Sequence, residues 1–228
     1  MSITCILPVF NGERFLAEAI RSVLDQEYPD LEIIVVDDGS TDGTREVLAR
    51  FGDGIRLLRQ EHAGVAAARN LGLAEARAEY LAFQDADDLW MPGKLEIQEK
   101  CFREQPDLEM CVGLIQNFWM DEVLEEETGY GGSRFSAPIP GFSLVCLLAR
   151  KALFDRVGPF DTSLRVGSDN DWFLRARDLG AIDHTVPDLL ARRRLHAGNL
   201  TREDLSSRET LLRNLKASLD RRRTSKDA

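Results

Sequence analysis

Apolar runs alternate with helical patterns through the first 105 residues, and this alternation limits the possible folds more than any other feature. Four runs have the pattern of buried strands that stop at turn residues, and they lie at 3–8, 31–36, 55–58 and 81–83. Strands that alternate with helices of about 10 to 15 residues build β-α-β units. We therefore predict an α/β fold with a mostly parallel sheet and right-handed crossovers.

Turn and cap residues set the predicted helix boundaries in this part of the chain. The predicted helix starts are Asn11, Thr41 or Asp42, Gly64, and the run Trp90-Met91-Pro92. The first helix is expected to run to about Gln26, and Pro106 is expected to close the fourth.

The second half of the sequence predicts fewer regular elements. They are a strand at 110–120, a strand and a short helix within 142–157 ended by Gly158-Pro159, short segments at 182–186 and 189–195, and an amphipathic helix at 203–219. The run Arg192-Arg193-Arg194 is expected to break the second of the two short segments.

The run Ser168-Asp169-Asn170-Asp171 matches a capping box at the start of a helix. In this interpretation Ser168 is the cap and Asp171 returns to the backbone, so Asp169 points elsewhere. A helix amino end favours the ionised carboxylate, which is the form that accepts a proton.

Three carboxylates stand within four residues at Asp85-Ala86-Asp87-Asp88, directly after the last predicted strand of the first half. Carboxylates this close repel one another, and a hard cation such as Mg²⁺ or Mn²⁺ relieves that repulsion. We interpret the run as a site for a metal ion and a diphosphate; a solvated acidic turn is the alternative.

Parallel strands bring three of the predicted turns to one edge of the sheet. Residues 8–11, 37–40 and 85–88 each follow a strand, so they lie at its carboxyl end. Open α/β sheets bind ligands at this edge. We therefore expect the acidic run to face a shared binding site.

Composition excludes several other classes of protein. A net charge of −10 argues against non-specific binding to nucleic acid, and four dispersed cysteines indicate neither a zinc site nor a disulfide framework. No apolar run approaches the roughly 20 residues needed to span a bilayer, and we expect a cytoplasmic protein without a signal peptide or transmembrane segment.

Two segments outside the predicted core have alternative interpretations. The acidic, glycine-rich stretch 121–141 is either a lid over a bound substrate or an ordinary surface loop. The basic run Arg221-Arg222-Arg223 either contacts the inner face of an anionic membrane, making the protein peripheral, or is a solvated end.

Four ordered stretches match one pattern: Leu7-Pro8-Val9-Phe10-Asn11-Gly12, Val35-Val36-Asp37-Asp38-Gly39-Ser40-Thr41-Asp42, Ala68-Arg69-Asn70-Leu71-Gly72 and Asp85-Ala86-Asp87-Asp88. With these stretches the chain resembles the family 2 inverting GT-A glycosyltransferases. The likeness extends through Val157-Gly158-Pro159-Phe160-Asp161 and Asp169 to the stretch 193–201. It implies a GT-A domain at 1–202, with a nucleotide-sugar half at 1–105, an acceptor and base half at 106–202, and a helix and tail at 203–228.

The resemblance also implies roles for individual residues. In the family, equivalents of Pro8, Phe10 and Asp38 border the nucleotide base, Arg69 lies beside it, and Asp85 reaches the ribose. The full implied donor set is Pro8, Val9, Phe10, Asn11, Asp38, Arg69, Asp85 and Ala86. The implied ligands of a Mn²⁺ or Mg²⁺ ion are Asp87 and His196, the latter with a structural histidine as its alternative, and the implied general base is Asp169.

One departure from the family pattern concerns the acceptor. The family usually carries Glu-Asp where this chain has Ser168-Asp169, so an acid expected near the acceptor is missing. Trp90, Trp119 and Trp172 are candidates to stack on a sugar, with core packing as the alternative.

The predicted function is metal-dependent, inverting transfer of a sugar from a nucleotide-sugar donor, expected to be a UDP-sugar, to the hydroxyl of a glycan, lipid or peptide acceptor. The alternatives are a module that only binds nucleotide sugars, and an aspartate-dependent phosphatase with Asp37 and Asp38 in its nucleophile loop. The sequence leaves the sugar, the acceptor and the oligomeric state open.

Overall fold

The structure is a computed structural model, and it describes residues 1–124, 137–200 and 207–224. The described strands are β1 (Ile3–Val9), β2 (Leu31–Asp37), β3 (Arg56–Arg59), β4 (Tyr80–Phe83), β5 (Leu89–Trp90), β6 (Met110–Trp119), β7 (Ile139–Pro140), β8 (Leu148–Arg150) and β9 (Asp183–Leu195). The described α-helices are α1 (Leu16–Leu24), α2 (Thr44–Ala49), α3 (Val65–Glu75), α4 (Lys94–Glu104), α5 (Lys151–Val157), α6 (Ser168–Asp178) and α7 (Ser207–Thr224).

The first four strands form the predicted parallel sheet. Strand β1 lies between β2 and β4, and β2 pairs with β3, all in parallel. Ile3 is in register with Leu31 on one side and with Tyr80 on the other. The carboxyl ends of β1, β2 and β4 therefore meet at one edge, as the sequence predicts.

The second half of the chain extends the same sheet with mixed pairing. Among the described strands the order is β3-β2-β1-β4-β8-β6-β9-β5, with β7 against β6. Strand β8 is antiparallel to both β4 and β6, whereas β9 runs parallel to β6 and carries β5 on its other side. This arrangement brings the end of β9 to the acidic turn that follows β4.

Both faces of the sheet are covered, so every residue of the central strands β1 and β4 is buried. Residues of β1 alternate between two cores: Cys5 and Leu7 pack with α1 and α4, and Ile6 packs with α3, α5 and α6. Trp90 belongs to the first core. Trp172 belongs to the second and stacks on Phe154 with ring centroids 4.1 Å apart.

Two predicted helix starts in the first half are wrong. Asn11 has a φ of 50° and does not cap α1, because its Oδ1 accepts a hydrogen bond from the Thr41 N–H at 2.8 Å. The helix begins at Leu16 instead. Trp90 lies in β5, paired antiparallel with β9, and α4 begins only after Gly93, whose φ is 76°.

The predicted capping box is also wrong. Gly167, with a φ of 78°, precedes α6, and Ser168 is the first residue of the helix without a side-chain cap. Asp171 pairs with Arg175 Nε at 2.8 Å rather than with the backbone. Asp169 remains in the first turn, separate from that pair.

The two short segments predicted near the end of the domain are one strand. Strand β9 runs unbroken from Asp183 to Leu195, with an irregular register against β6 near Val112 and Leu114. The arginine run lies inside it, since Arg192 and Arg193 pair with β6 and Arg194 is buried.

The last predicted helix is present as α7. Its predicted start at 203 falls outside the described residues, as does most of the proposed lid at 121–141. Helix α7 includes the basic run up to Thr224. Within the part of the chain that the structure describes, no helix is both long and apolar enough to cross a membrane.

Candidate functional site

A cleft of about 490 Å³ lies where β1, β4, β9 and α6 end or begin. Ten of the residues proposed from the sequence line it: Pro8, Val9, Phe10, Asn11, Arg69, Asp85, Ala86, Asp87, Asp169 and His196. Asp38 lines an adjoining pocket of about 770 Å³, which shares the residues 8–11 with the first. The predicted turns therefore converge on one site.

Asp87 is the centre of a three-residue cluster across the acidic turn and the end of β9. Its Oδ2 lies 3.1 Å from His196 Nε2 and accepts a hydrogen bond from Asn199 Nδ2 at 3.0 Å. The Asn199 Oδ1 in turn accepts from the His196 N–H at 2.7 Å. The ring of Phe15 packs on His196 with centroids 4.7 Å apart, so the imidazole is held from two sides.

Arg194 holds this turn to the rest of the domain. Its backbone N–H donates to Asp88 Oδ1 at 2.9 Å, and its Nε donates to the Asp87 carbonyl at 2.9 Å. Its Nη2 pairs with Glu18 on α1 at 2.6 Å. Burial, together with the charges of Asp87 and Asp85, raises the pKa of Asp88 well above its usual value.

Arg69 and Asp85 form an ion pair on the opposite side of the acidic turn. The Arg69 Nη2 lies 2.8 Å from Asp85 Oδ1, and the guanidinium packs over the ring of Phe160. The pair fixes the direction of Asp85, so the carboxylates of Asp85 and Asp87 have separate partners. This separation reduces the repulsion between them.

Asp38 organises the turn at residues 60–64. Its Oδ1 accepts hydrogen bonds from Gln60 Nε2 at 2.6 Å and the Ala63 N–H at 2.9 Å. Its Oδ2 accepts from the Gly64 N–H at 2.9 Å and lies 2.9 Å from His62 Nδ1. This buried carboxylate already has four donors. In the predicted contact, a uracil ring nitrogen would have to share the carboxylate oxygens with them.

Phe10 and His62 form a stacked aromatic pair at the mouth of the adjoining pocket. Their ring centroids are 4.0 Å apart and their planes differ by 27°. Phe10 is 45% exposed, an unusual value for a large apolar ring next to a cleft. An exposed aromatic face can stack on a nucleobase.

Asp169 lies in the first turn of α6 and lines the cleft. Its Oδ1 accepts a hydrogen bond from the Asn170 N–H at 2.8 Å. The positive φ of Gly167 turns the chain into the helix directly before it. The helix amino end stabilises a negative charge at this position.

The residues around Asp87 fit a divalent cation only in part. Carboxylate oxygen and imidazole nitrogen suit Mn²⁺, and carboxylate suits Mg²⁺. Among the described residues, however, no group of three or more His, Cys, Asp or Glu side chains converges as a metal cage. Asp87 and His196 would thus supply two ligands, and a bound diphosphate and water would supply the others.

Three site residues were not identified individually from the sequence: Asn199, Arg194 and His62. Asn199 and Arg194 fall within the stretch 193–201 that carries the family resemblance, so the motif contained the signal. His62 stands alone between Glu61 and Ala63, and nothing in the sequence distinguishes it from a surface histidine.

Comparison with known proteins identifies the family of this chain. The sequence profile of the family described as Glycosyl transferase family 2 matches residues 4–140. An uncharacterized glycosyltransferase of Nostoc is 44% identical over 219 residues, covering 87% of this chain and 66% of that protein. The Escherichia coli UDP-Glc:alpha-D-GlcNAc-diphosphoundecaprenol beta-1,3-glucosyltransferase WfgD is 43% identical over 98 residues, covering 42% of this chain and 39% of that protein.

Solved structures show the same fold. Staphylococcus aureus TarS 1-349 in complex with UDP-GlcNAc superposes with a TM-score of 0.77 and 19% identity over 97% of this chain and 66% of that one. The mannosyltransferase PcManGT from Pyrobaculum calidifontis, in complex with GDP-Man and Mn²⁺, gives a TM-score of 0.65 and 24% identity over 88% of this chain and 59% of that one. At these identities the likeness shows the fold alone, which is GT-A.

This chain spans about two thirds of the length of the Nostoc relative and of the TarS structure. The family profile covers more than half of this chain. It includes the carboxyl ends of β1 and β4, which line the cleft, and that of β2, where Asp38 lines the adjoining pocket. The chain therefore belongs to glycosyl transferase family 2 and is a glycosyltransferase with the GT-A fold.

Proposed function

We propose that the chain transfers a sugar from a UDP-sugar to an acceptor hydroxyl, with inversion at the anomeric carbon and with a divalent cation bound at Asp87. The observation that carries the proposal is that Asp87, His196 and Asp169 line one cleft. A diphosphate site and a proton acceptor are the two parts that direct displacement requires.

Asp169 is the proposed general base. It takes the proton from the acceptor hydroxyl while that oxygen attacks the anomeric carbon from the face opposite the diphosphate. The bond between the anomeric carbon and the diphosphate oxygen breaks, and its electron pair leaves with the nucleoside diphosphate. The base stands at the amino end of α6, where the helix dipole stabilises negative charge.

Asp87 and His196 are the proposed protein ligands of Mn²⁺ or Mg²⁺. The ion, when bound, offsets the negative charge that develops on the leaving diphosphate. Asn199 and Phe15 fix the direction of His196, and Arg194 fixes the backbone of Asp87. The complex of PcManGT with Mn²⁺ supports a metal in this fold.

The pocket beside Phe10 and His62 is the proposed base subsite. Phe10 offers an exposed face for stacking, and Asp38 holds the turn that carries His62. UDP-GlcNAc bound to TarS and the UDP-Glc in the name of WfgD support uridine as the base. Arg69, held by Asp85, would lie between this subsite and the cation.

A lipid-linked sugar is the proposed acceptor class. The support is the name of WfgD, whose acceptor is a sugar joined to diphosphoundecaprenol. Ser168 leaves the first turn of α6 without the acid that the family usually carries. Without this acid, the first turn of α6 repels a negatively charged acceptor less strongly.

The phosphatase alternative has less support. Asp37 and Asp38 are 1% and 2% exposed. Asp38 carries four donors, and the Oδ1 of Asp37 accepts from the Ser40 N–H at 2.9 Å. A nucleophilic carboxylate must be open to its substrate.

The test is nucleoside diphosphate release from UDP-sugars, with and without acceptor, for the wild type and for Asp169→Asn. Loss of a general base should lower transfer by about 10² to 10⁴-fold, while UDP binding is unchanged. Asp25→Asn, on the exposed end of α1, is the matched control and should keep full activity. Full transfer by Asp169→Asn would remove the base assignment, and nucleotide binding without any turnover in the wild type would favour the binding module.

A further inference from the structure

Helix α7 packs on α6 with polar side chains. Asn214 Nδ2 donates to the Gly167 carbonyl at 3.1 Å, and Ser218 Oγ donates to Asp178 Oδ1 at 2.7 Å. Arg221 Nε donates to Asp178 Oδ2 at 2.8 Å. Asn214 and Ser218 are each only 4% exposed, so the buried face of α7 is hydrophilic.

The outer face of α7 carries an apolar stripe instead. Leu212, Leu215 and Leu219 are 67%, 42% and 55% exposed. Their spacing of three and four residues places them on one side of the helix. An amphipathic helix normally buries such a stripe in its own domain, and α7 does the opposite.

Basic residues accompany this stripe. Lys216 lies between the leucines, one turn after Leu212, and it is exposed. The helix 207–224 holds six basic and two acidic residues, whereas the whole chain has 29 basic and 39 acidic. The helix that exposes the leucines therefore carries a net formal charge of +4, whereas the rest of the chain carries −14.

We propose that α7 binds an anionic membrane surface, with Leu212, Leu215 and Leu219 inserted at the lipid interface and Lys216 next to lipid phosphates. Leucines beside basic residues are the pattern of helices that lie in the plane of a membrane. Anionic lipids attract basic helices, and they repel the acidic remainder of the chain. The charge therefore orients the protein with α7 toward the lipid.

The position of α7 connects this surface to the cleft. Asn214 contacts Gly167, which lines the cleft two residues before Asp169. A helix is about 10 Å wide with its side chains, so the membrane surface would lie roughly one helix width from the proposed base. This last step rests on the proposed function; the membrane contact itself does not.

The test is co-sedimentation of the full chain with vesicles of phosphatidylcholine alone and of phosphatidylcholine with phosphatidylglycerol. We expect binding to the anionic vesicles, weakened when salt is raised from about 0.1 M to 1 M because screening shortens the reach of charge from about 10 Å to 3 Å. Changing Leu212, Leu215 and Leu219 together to Gln should lower the partition coefficient by about tenfold or more. Leu24→Gln, an exposed leucine at the end of α1, is the matched control and should bind as the wild type does.

Three results would overturn the proposal. They are a wild-type chain that stays in the supernatant with anionic vesicles, a triple variant that binds as strongly as the wild type, and a lipid-free dimer that the triple variant converts to a monomer. The dimer would show that a second copy covers the leucines. Equal melting temperatures of the wild type and the triple variant establish that the variant is folded, and no result here depends on sugar transfer.

Discussion

Asn199 illustrates how a neutral side chain can set the properties of a charged one. It donates to Asp87 and to the Arg194 carbonyl and accepts from the His196 backbone, so a single carboxamide connects both proposed metal ligands. Residues of this kind orient a ligand without binding the metal themselves. Their effect should therefore appear in metal affinity.

We predict that Asn199→Ala weakens Mn²⁺ binding in the presence of UDP by about 10 to 100-fold, because Asp87 and His196 lose their shared partner. Isothermal titration of Mn²⁺ into the UDP-bound protein measures the effect. UDP affinity in a chelator is the internal control and should not change. An unaltered Mn²⁺ affinity in a folded variant would mean that the carboxamide plays no part in the metal site.

Several of the predicted residues that line the cleft have a local signal in the sequence. Asp85 and Asp87 are recognisable because several acidic residues follow one strand in a single turn. Residues 8–11 could be placed beside them because the carboxyl ends of parallel strands meet at one edge of the sheet. His196 lies 109 positions from Asp87, and only the family resemblance paired them. The Phe10–His62 stack has no sequence signal, because an aromatic and a histidine 52 positions apart meet only through the folded sheet.

At the scale of elements, helix α4 begins with a lysine that is buried in the core. Lys94, its first residue, is 0% exposed, and its Nζ donates to Gln98 Oε1 at 2.8 Å and lies 4.1 Å from the Trp90 ring centroid. Burial lowers the pKa of Lys94 to about 8. Burial also raises the pKa values of the neighbouring Cys5, Cys111 and Cys146 thiols to about 12.

The pKa of Lys94 determines whether its contribution to the free energy of unfolding rises or falls with pH. The unfolded lysine titrates near pH 10.4, so between about pH 8 and 10 the unfolded chain binds more protons than the folded one. Stability from this group therefore rises with pH across that window. The three thiols act in the opposite direction above about pH 9, because the unfolded thiols ionise there while the buried ones stay neutral.

We predict that the difference in unfolding free energy between wild type and Lys94→Met shifts in favour of the wild type by about 1 kcal/mol for each pH unit between pH 8.5 and 10. Taking the difference removes the part of the thiol contribution that does not depend on Lys94. Urea denaturation at several pH values measures it. Lys100→Met, an exposed lysine on the same helix, should give a difference independent of pH, and a flat difference for Lys94→Met would contradict the prediction.

Element boundaries failed where a distant contact or a glycine decided them. Gly93 and Gly167 adopt positive φ and start α4 and α6 without a side-chain cap, so the cap rules selected the wrong residues. Trp90 lies in a strand and not in the predicted helix, because it pairs with β9. Strand positions were predicted better, since a fully buried strand needs a continuous apolar run whatever its neighbours are.

At the scale of the whole molecule, the cleft joins parts of the chain that are far apart in sequence. The turns after β1 and β4, the start of α6 and the end of β9 all line it. The ion pair of Arg194 with Glu18 and its bond to Asp87 connect β9 to α1 and to the acidic turn. A ligand that contacts all of these segments should stabilise the entire fold.

We predict that UDP with Mn²⁺ raises the melting temperature of the wild type further than UDP alone, and that Asp87→Ala loses only this additional increase. A ligand at a hundred times its Kd stabilises the native state by about 2.7 kcal/mol, which for a chain of this size is about 5 to 10 °C. Thermal unfolding with UDP, in Mn²⁺ and in chelator, measures both parts. Asp107→Ala, an exposed aspartate, controls for non-specific ion binding and should behave as the wild type does. If Asp87→Ala kept the full Mn²⁺-dependent increase, the cation would bind elsewhere, and the acidic turn would be a solvated loop after all.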